Sequence, residues 1–111
     1  MIAITEEVLS KMVEAIVKEV DPEQIYLFGS RARGEASGIS DVDLLVIERE
    51  PFGPERSRLQ ELGRIRRALS AFQVAKDILV YDTEEVSRWR HSLNHIVARC
   101  LREGRLLFAR S

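Results

Sequence analysis

The chain has 111 residues, a mass of 12.7 kDa and a formal net charge of −1, although 32% of its residues are charged. This length suits one small domain with a single core, so we expect one domain over residues 1–111. The balanced charge gives no reason to expect direct nucleic-acid binding, and no apolar run approaches the roughly eighteen residues of a membrane span. The single cysteine, Cys100, excludes an internal disulfide, and with no signal segment in view we expect a cytoplasmic protein.

The N-terminal half predicts one helix and two strands. Thr5 precedes two glutamates and a series of apolar residues at helical spacing, so a helix is expected from there to about residue 20, before Asp21 and Pro22. Apolar runs predict strands at about 24–28 and 41–47, joined by a loop rich in Gly, Ser and Arg that holds a short helix over 30–33.

The C-terminal half predicts two helices that alternate with two strands. An amphipathic helix is expected between residues 55 and 72, a strand at 74–81, a helix over 83–103 and a last strand at 105–109. Trp89 and Cys100 lie on the apolar stripe of the second helix and are expected in the core, while Asp82 is expected to cap that helix. This alternation predicts an α/β or α+β fold, in which helices cover one or both faces of a small mixed β-sheet.

The most informative feature is the pair Gly29 and Ser30, followed by Asp41 and Asp43. Side chains two apart in a strand project from the same face about 7 Å apart, a spacing that lets two carboxylates share divalent cations such as Mg²⁺. Gly29 permits a tight turn, and the N–H groups of a following helix start, with the Ser30 hydroxyl, would bind phosphate. A Gly-Ser dipeptide alone indicates only a turn, but beside paired aspartates it indicates a metal and triphosphate site.

Three further residues are candidates for the same site. Asp77 is an acidic residue within an otherwise apolar strand, which favours a role as third metal ligand if that strand lies beside the first two aspartates. The alternative is that Asp77 only pairs with Lys76 or with an arginine. Arg31 and Arg33 either neutralise phosphate charge or only pair with Glu35 or solvent.

Two competing motifs are rejected. Gly29 and Gly34 have the spacing of a P-loop, but Glu35 stands where the phosphate-binding lysine would be and would repel a triphosphate. His91 and His95 have the spacing of a helical zinc site, but no third ligand is evident in the sequence.

The series Gly29 and Ser30, Asp41 and Asp43, then Asp77 resembles the minimal nucleotidyltransferase (MNT) family of the DNA polymerase beta superfamily over nearly the whole chain. The resemblance implies a polymerase-beta-like nucleotidyltransferase fold, two Mg²⁺ ions, and transfer of a nucleoside monophosphate from an NTP, taken to be ATP, with release of pyrophosphate. It also implies that Gly29 and Ser30 hold the triphosphate. The three aspartates would hold the metals, and Asp77 would help to activate the acceptor hydroxyl.

Members this short resemble the antitoxins of prokaryotic toxin–antitoxin pairs, whose partner is an all-helical HEPN protein with RNase activity. The resemblance implies that AMP is transferred to a tyrosine of such a toxin. Residues 78–111 are expected to form scaffold elements, which favours an acceptor on another protein. Two alternatives stay open: a catalytically silent antitoxin that acts by occlusion, and a nucleotidyltransferase for a small-molecule hydroxyl. No membrane partner is expected, and a homo-oligomer stays open.

Overall fold

The computed structural model describes residues 4–29, 32 and 41–110. None of the helices in these ranges combines the length and apolar character needed to span a bilayer. The predicted short helix over 30–33 lies outside the described residues, apart from Ala32. In chain order the elements are α1 (Glu6–Val20), β1 (Gln24–Phe28), β2 (Val42–Glu48), α2 (Arg58–Ala68), β3 (Lys76–Asp82), α3 (Thr83–Trp89), α4 (Ile96–Glu103) and β4 (Arg105–Ala109).

The four strands form one mixed sheet in the order β3-β2-β1-β4. β1 pairs antiparallel with both β2 and β4, while β2 pairs parallel with β3. Helices cover both faces, because the central strands are apolar on both sides and each side has to be shielded from water. This mixed sheet with flanking helices confirms the predicted fold class.

Two hydrophobic clusters lie on opposite faces of the sheet. On one face, Leu44 and Val46 of β2 pack with residues of α1 and α2, including Met12 and Ile65. On the other face, Leu45 and Ile47 pack with residues of α3 and α4. Since side chains alternate along a strand, Asp43 emerges on the same face as Leu45, towards α3 and α4.

The predicted helix caps are confirmed. The Thr5 side chain accepts a hydrogen bond from the backbone N–H of Val8 at 3.1 Å and begins α1. Asp82 begins α3 with a capping box, in which its carboxylate accepts from the Glu85 N–H and the Glu85 side chain accepts from the Asp82 N–H. Each cap satisfies backbone donors that would otherwise lack a partner at the start of a helix.

The prediction of one continuous helix over 83–103 is wrong. Two helices, α3 and α4, are separated by a turn at residues 90–95. The second helix begins after His95, whose Nδ1 accepts a hydrogen bond from the Val97 N–H at 3.1 Å. The break changes which side chains reach the core on this face of the sheet.

Trp89 is therefore not a core residue as predicted. Its side chain is 37% exposed, and its ring stacks on that of His95 with the centroids 4.5 Å apart. Leu93, which lies in the turn, is 77% exposed. Cys100 of α4 is buried, as expected.

Candidate active site

The three candidate aspartates lie together at one end of the two parallel strands. Asp43 of β2 and Asp77 of β3 are direct register partners, so their side chains leave the same face of the sheet about 5 Å apart. Asp41 immediately precedes β2, two residues before Asp43. Asp43 is half-buried, while Asp41 and Asp77 are exposed, which leaves the group open to an incoming ligand.

The electrostatics of Asp43 agree with this proximity. Burial raises the pKa of Asp43, and the negative charges of Asp77 and Asp41 raise it further. Within the ranges that the structure describes, no lysine or arginine forms an ion pair with any of the three aspartates. Three mutually repelling carboxylates on an open surface are the kind of group that divalent cations stabilise.

Gly29 directly follows β1 and lies against this acidic group. Its φ is +76°, and a Cβ atom added here would lie 2.4 Å from Oδ2 of Asp43. Only glycine accepts both the left-handed backbone and this close approach. The backbone of Gly29 therefore lies bare beside Asp43, as a phosphate-binding turn requires. Ser30, Arg31 and Arg33 lie outside the described residues, so their contacts with phosphate stay predictions.

The donor set suits Mg²⁺ shared with a substrate. In the described part of the chain, no three His, Cys, Asp or Glu side chains form a ready-made metal cage. Mg²⁺ prefers oxygen ligands, keeps several waters and is usually bound by one or two carboxylates together with substrate phosphates. Carboxylates on the open end of the sheet fit such a shared site, and the metal-binding roles of Asp41, Asp43 and Asp77 stay predictions.

Lys76 does not neutralise Asp77. Its ammonium group donates instead to the backbone carbonyls of Phe72 at 2.9 Å and Val74 at 3.1 Å. These two bonds tie the start of β3 to the preceding turn. The alternative in which Asp77 is merely the partner of Lys76 is therefore not supported.

A cavity of about 270 Å³ adjoins the acidic group between the end of β1 and α4. Burial raises the pKa of Cys100 to about 11, and the charge of Asp43 adds to the effect, so the cavity wall lies within electrostatic reach of the site. The sequence analysis did not predict this cavity. The residues of α4 that line it are spaced three and four positions apart, which places them on one face of the helix and was a usable signal. The lining residues are Phe28, Gly29, Ile96, Arg99, Cys100 and Glu103.

A larger surface cavity, of about 750 Å³, lies elsewhere and is lined by the loop residues 50–56. This loop follows the far end of β2, roughly 20 Å along the strand from Asp43. None of the candidate site residues lines it. Of the candidate site residues that the structure describes, only Gly29 lines either of these two cavities, and it lines the smaller one.

Comparison with known protein families assigns the chain. The model of the nucleotidyltransferase domain matches residues 9–101. The chain belongs to this nucleotidyltransferase family. The match spans Gly29 and all three aspartates, and members of the family typically use metal ions and an NTP. No curated protein matches the chain.

Solved structures share the fold of this nucleotidyltransferase at low sequence identity. A protein of Sulfolobus solfataricus described as a nucleotidyltransferase has 23% identity and a TM-score of 0.63, over 94% of this chain and 79% of that one. A chain of a toxin–antitoxin complex with AMP-PNP has 18% identity and a TM-score of 0.58, over 92% and 74%. A chain from the complex of an MNT antitoxin with the tri-AMPylated HEPN toxin of Shewanella oneidensis has 14% identity and a TM-score of 0.57, over 96% and 74%. These matches establish a polymerase-beta-like nucleotidyltransferase fold.

Proposed function

We propose that this nucleotidyltransferase is an Mg²⁺-dependent protein adenylyltransferase that transfers AMP from ATP to a tyrosine hydroxyl of a partner HEPN toxin and thereby acts as its antitoxin. The convergence of Asp41, Asp43 and Asp77 beside Gly29 carries the enzymatic part of the proposal. The choice of partner is supported by the fold, which is shared with toxin–antitoxin complexes that contain AMP-PNP or an AMPylated toxin.

The residues divide into two functional groups. Asp41, Asp43 and Asp77 would hold the metal ions, which when bound neutralise charge on the attacking and leaving oxygens. Asp77, which is exposed at the start of β3, would also accept the proton of the acceptor hydroxyl. Gly29 lets the turn approach the triphosphate, and Ser30 with the arginines after it would complete the phosphate contacts.

The acceptor hydroxyl is expected to come from another molecule. α4 packs on β1, and β4 pairs with β1 as an edge strand, so the C-terminal elements serve the scaffold. Asp41 and Asp77 are meanwhile exposed at the end of the sheet. A partner protein that presents a tyrosine to this open edge would complete the reacting group.

Mass spectrometry of the partner tests the proposal. The purified protein is incubated with ATP, Mg²⁺ and the HEPN protein encoded beside it, and each transferred AMP should add about 329 Da to the partner. The Asp41→Ala and Asp43→Ala double variant, shown to be folded, should add nothing, and replacing the acceptor tyrosine of the toxin by phenylalanine should block the reaction.

Three outcomes would contradict the proposal. An unmodified toxin, with wild-type protein that binds ATP and Mg²⁺, would exclude protein adenylylation. Full neutralisation of the toxin by the folded double variant would favour occlusion without catalysis. Pyrophosphate release with an aminoglycoside in the absence of any protein partner would favour a small-molecule acceptor.

A further inference from the structure

The cavity beside the aspartates has an apolar interior and a charged rim. Phe28 of β1 and Ile96 of α4 line it and are half-buried, and Cys100 of α4 lines it and is buried. Arg99 and Glu103 are exposed on the same side of α4, with Nε and Oε2 4.0 Å apart. This combination suits a flat, heteroaromatic group that offers a ring face as well as donors and acceptors at its edge.

The position of the cavity relates it to the triphosphate site. Gly29 lines the cavity and also lies against Asp43, so its backbone adjoins both the cavity and the proposed triphosphate site. A ligand held by phosphate at this turn can extend directly into the cavity. At about 270 Å³, the cavity is smaller than the roughly 300–1,000 Å³ of a site for a whole drug-sized ligand, so it holds only part of an NTP.

The charges around the cavity indicate which part of the NTP it holds. The carboxylates of Glu103 and Asp43 would repel a triphosphate that entered the cavity without metal. A nucleobase carries no such charge, and its exocyclic amino group can donate to a carboxylate. The guanidinium of Arg99 can stack on a ring face or donate to ring nitrogens and ribose oxygens.

We propose that the cavity between the end of β1 and α4 is the subsite for the nucleoside of the NTP, with Arg99 as a positioning residue. This assignment rests on the proposed function, because it assumes that an NTP binds at Gly29 and the aspartates. It adds to that function a location for the base, and it places part of the specificity for the NTP on α4.

Calorimetric titration with two ligands tests the subsite without relying on turnover. The ligands are AMP-PNP and inorganic tripolyphosphate, each with Mg²⁺, because only the first carries a nucleoside. Wild-type protein should bind AMP-PNP more tightly. Ile96→Trp fills the cavity, and Arg99→Ala removes its cation, so each should weaken AMP-PNP binding by about tenfold. Their affinity for tripolyphosphate should stay within about twofold of the wild-type value.

Arg102→Ala is the matched control, because Arg102 is on the same helix but does not line the cavity. Its affinity for both ligands should equal that of the wild-type protein. Thermal unfolding checks that every variant is folded, and the exposed Arg99 can be truncated with little risk to the core if Ile96→Trp fails to fold.

The possible results separate this inference from the proposed function. If AMP-PNP binds wild type and both cavity variants equally, or if the variants weaken both ligands equally, the nucleoside subsite is wrong while NTP binding stands. An unchanged AMP-PNP affinity with a raised KM for the toxin would assign the cavity to the acceptor instead. If wild-type protein binds neither ligand, the proposed function fails, and the subsite fails with it.

Discussion

Asp43 is the residue at which stability and the proposed function oppose each other. Its carboxylate is half-buried, lies against Gly29 and is repelled by two neighbouring carboxylates. Such a cluster destabilises the folded protein as long as no cation is bound, and functional sites commonly carry this kind of local cost. The glycine next to it makes the arrangement sterically possible.

Replacing Gly29 should therefore disturb both the fold and the site. In Gly29→Ala the new Cβ would meet Oδ2 of Asp43 in a left-handed backbone, so we expect a loss of about 1–3 kcal/mol in the free energy of unfolding. Urea unfolding measures this loss. Titration with AMP-PNP and Mg²⁺ measures how far the displaced Asp43 carboxylate weakens ligand binding. Gly53→Ala is the matched control, since a Cβ added at Gly53 would meet nothing within 4 Å and φ is not positive there. Equal stability of the two variants would contradict the steric argument.

A second acidic group, the pair Glu48 and Glu61 at the opposite end of β2, is buried in the scaffold. Glu48 is 2% exposed and forms an ion pair with Arg56, and its Oε2 has no hydrogen-bond partner among the described residues. Burial raises the pKa of Glu48 to about 7, and hydrogen bonding with Glu61 and repulsion from it act in the same direction. Burial opposes the change at Glu61, but hydrogen bonds with Glu48 and Arg64 lower the pKa of that carboxyl overall. Below a pH of about 7, Glu48 therefore retains a proton in the folded protein.

This proton predicts a specific dependence of stability on pH. The folded-state pKa of Glu48 lies above its ordinary value of 4.5, so its stabilising contribution is complete below pH 4.5 and is lost as the pH rises to about 7. The loss is at most about 3 kcal/mol. In Glu48→Gln the amide mimics the protonated form at every pH, so this loss should be absent. Urea unfolding of both proteins at intervals between pH 4.5 and 8 measures the difference, and parallel curves would contradict the assignment.

Arg58 connects three elements through one side chain. Its Nη1 donates to the Val80 carbonyl of the edge strand β3 at 2.8 Å and to Oε1 of Glu85 in α3 at 2.9 Å, while Nη2 pairs with the same carboxylate. The guanidinium also lies over the rings of Phe52 and Tyr81, 4.8 and 5.3 Å from their centroids. Because Arg58 begins α2, these contacts join that helix to β3 and α3.

Truncation of this side chain should destabilise the whole domain. We expect Arg58→Ala to lower the free energy of unfolding by about 2–3 kcal/mol, because it removes a forked ion pair and leaves a strand carbonyl without its donor. Arg58→Lys should restore only a small part of this loss, since an ammonium group cannot make the forked contact. Arg66→Ala, an exposed arginine of the same helix, should change stability by less than about 0.5 kcal/mol. A full rescue by lysine in urea unfolding would show that charge alone matters.

The elements were predictable from the sequence where burial and capping act locally. β1 was predicted at residues 24–28 and is found there, and Thr5 and Asp82 cap the helices that they were expected to cap. The break between α3 and α4 was not predicted. Val86 and Val97 are eleven residues apart, close to three helical turns, so the apolar stripe keeps its phase across the intervening turn. Periodicity alone does not detect a break of this kind.

At the scale of the whole molecule, the site depends on strand order more than on any single motif. Asp77 follows Asp43 by more than thirty residues, and only the parallel register of β2 with β3 makes them neighbours. The sequence indicated an acidic strand residue, but whether that strand would lie beside β2 depended on the path of the chain through α2, which propensity and spacing do not encode. The spacing of the lining residues along α4 was visible in the sequence, but the packing of α4 beside β1 was not, so this cavity wall was not predicted.

Because the proposed site joins the ends of β1, β2 and β3, ligand binding should stabilise the molecule as one unit. With AMP-PNP and Mg²⁺ at about one hundred times Kd, the free energy of unfolding of the wild-type protein should rise by about 2.7 kcal/mol, and Tm by about 10 °C. Asp43→Asn should be at least as stable as wild type without ligand, because the repulsion from Asp41 and Asp77 is relieved, yet its Tm should not respond to the ligand. Differential scanning calorimetry measures both effects. A ligand-induced shift retained by Asp43→Asn would exclude this carboxylate from the metal site, and a transition that splits in two on binding would show that the three strands do not unfold together.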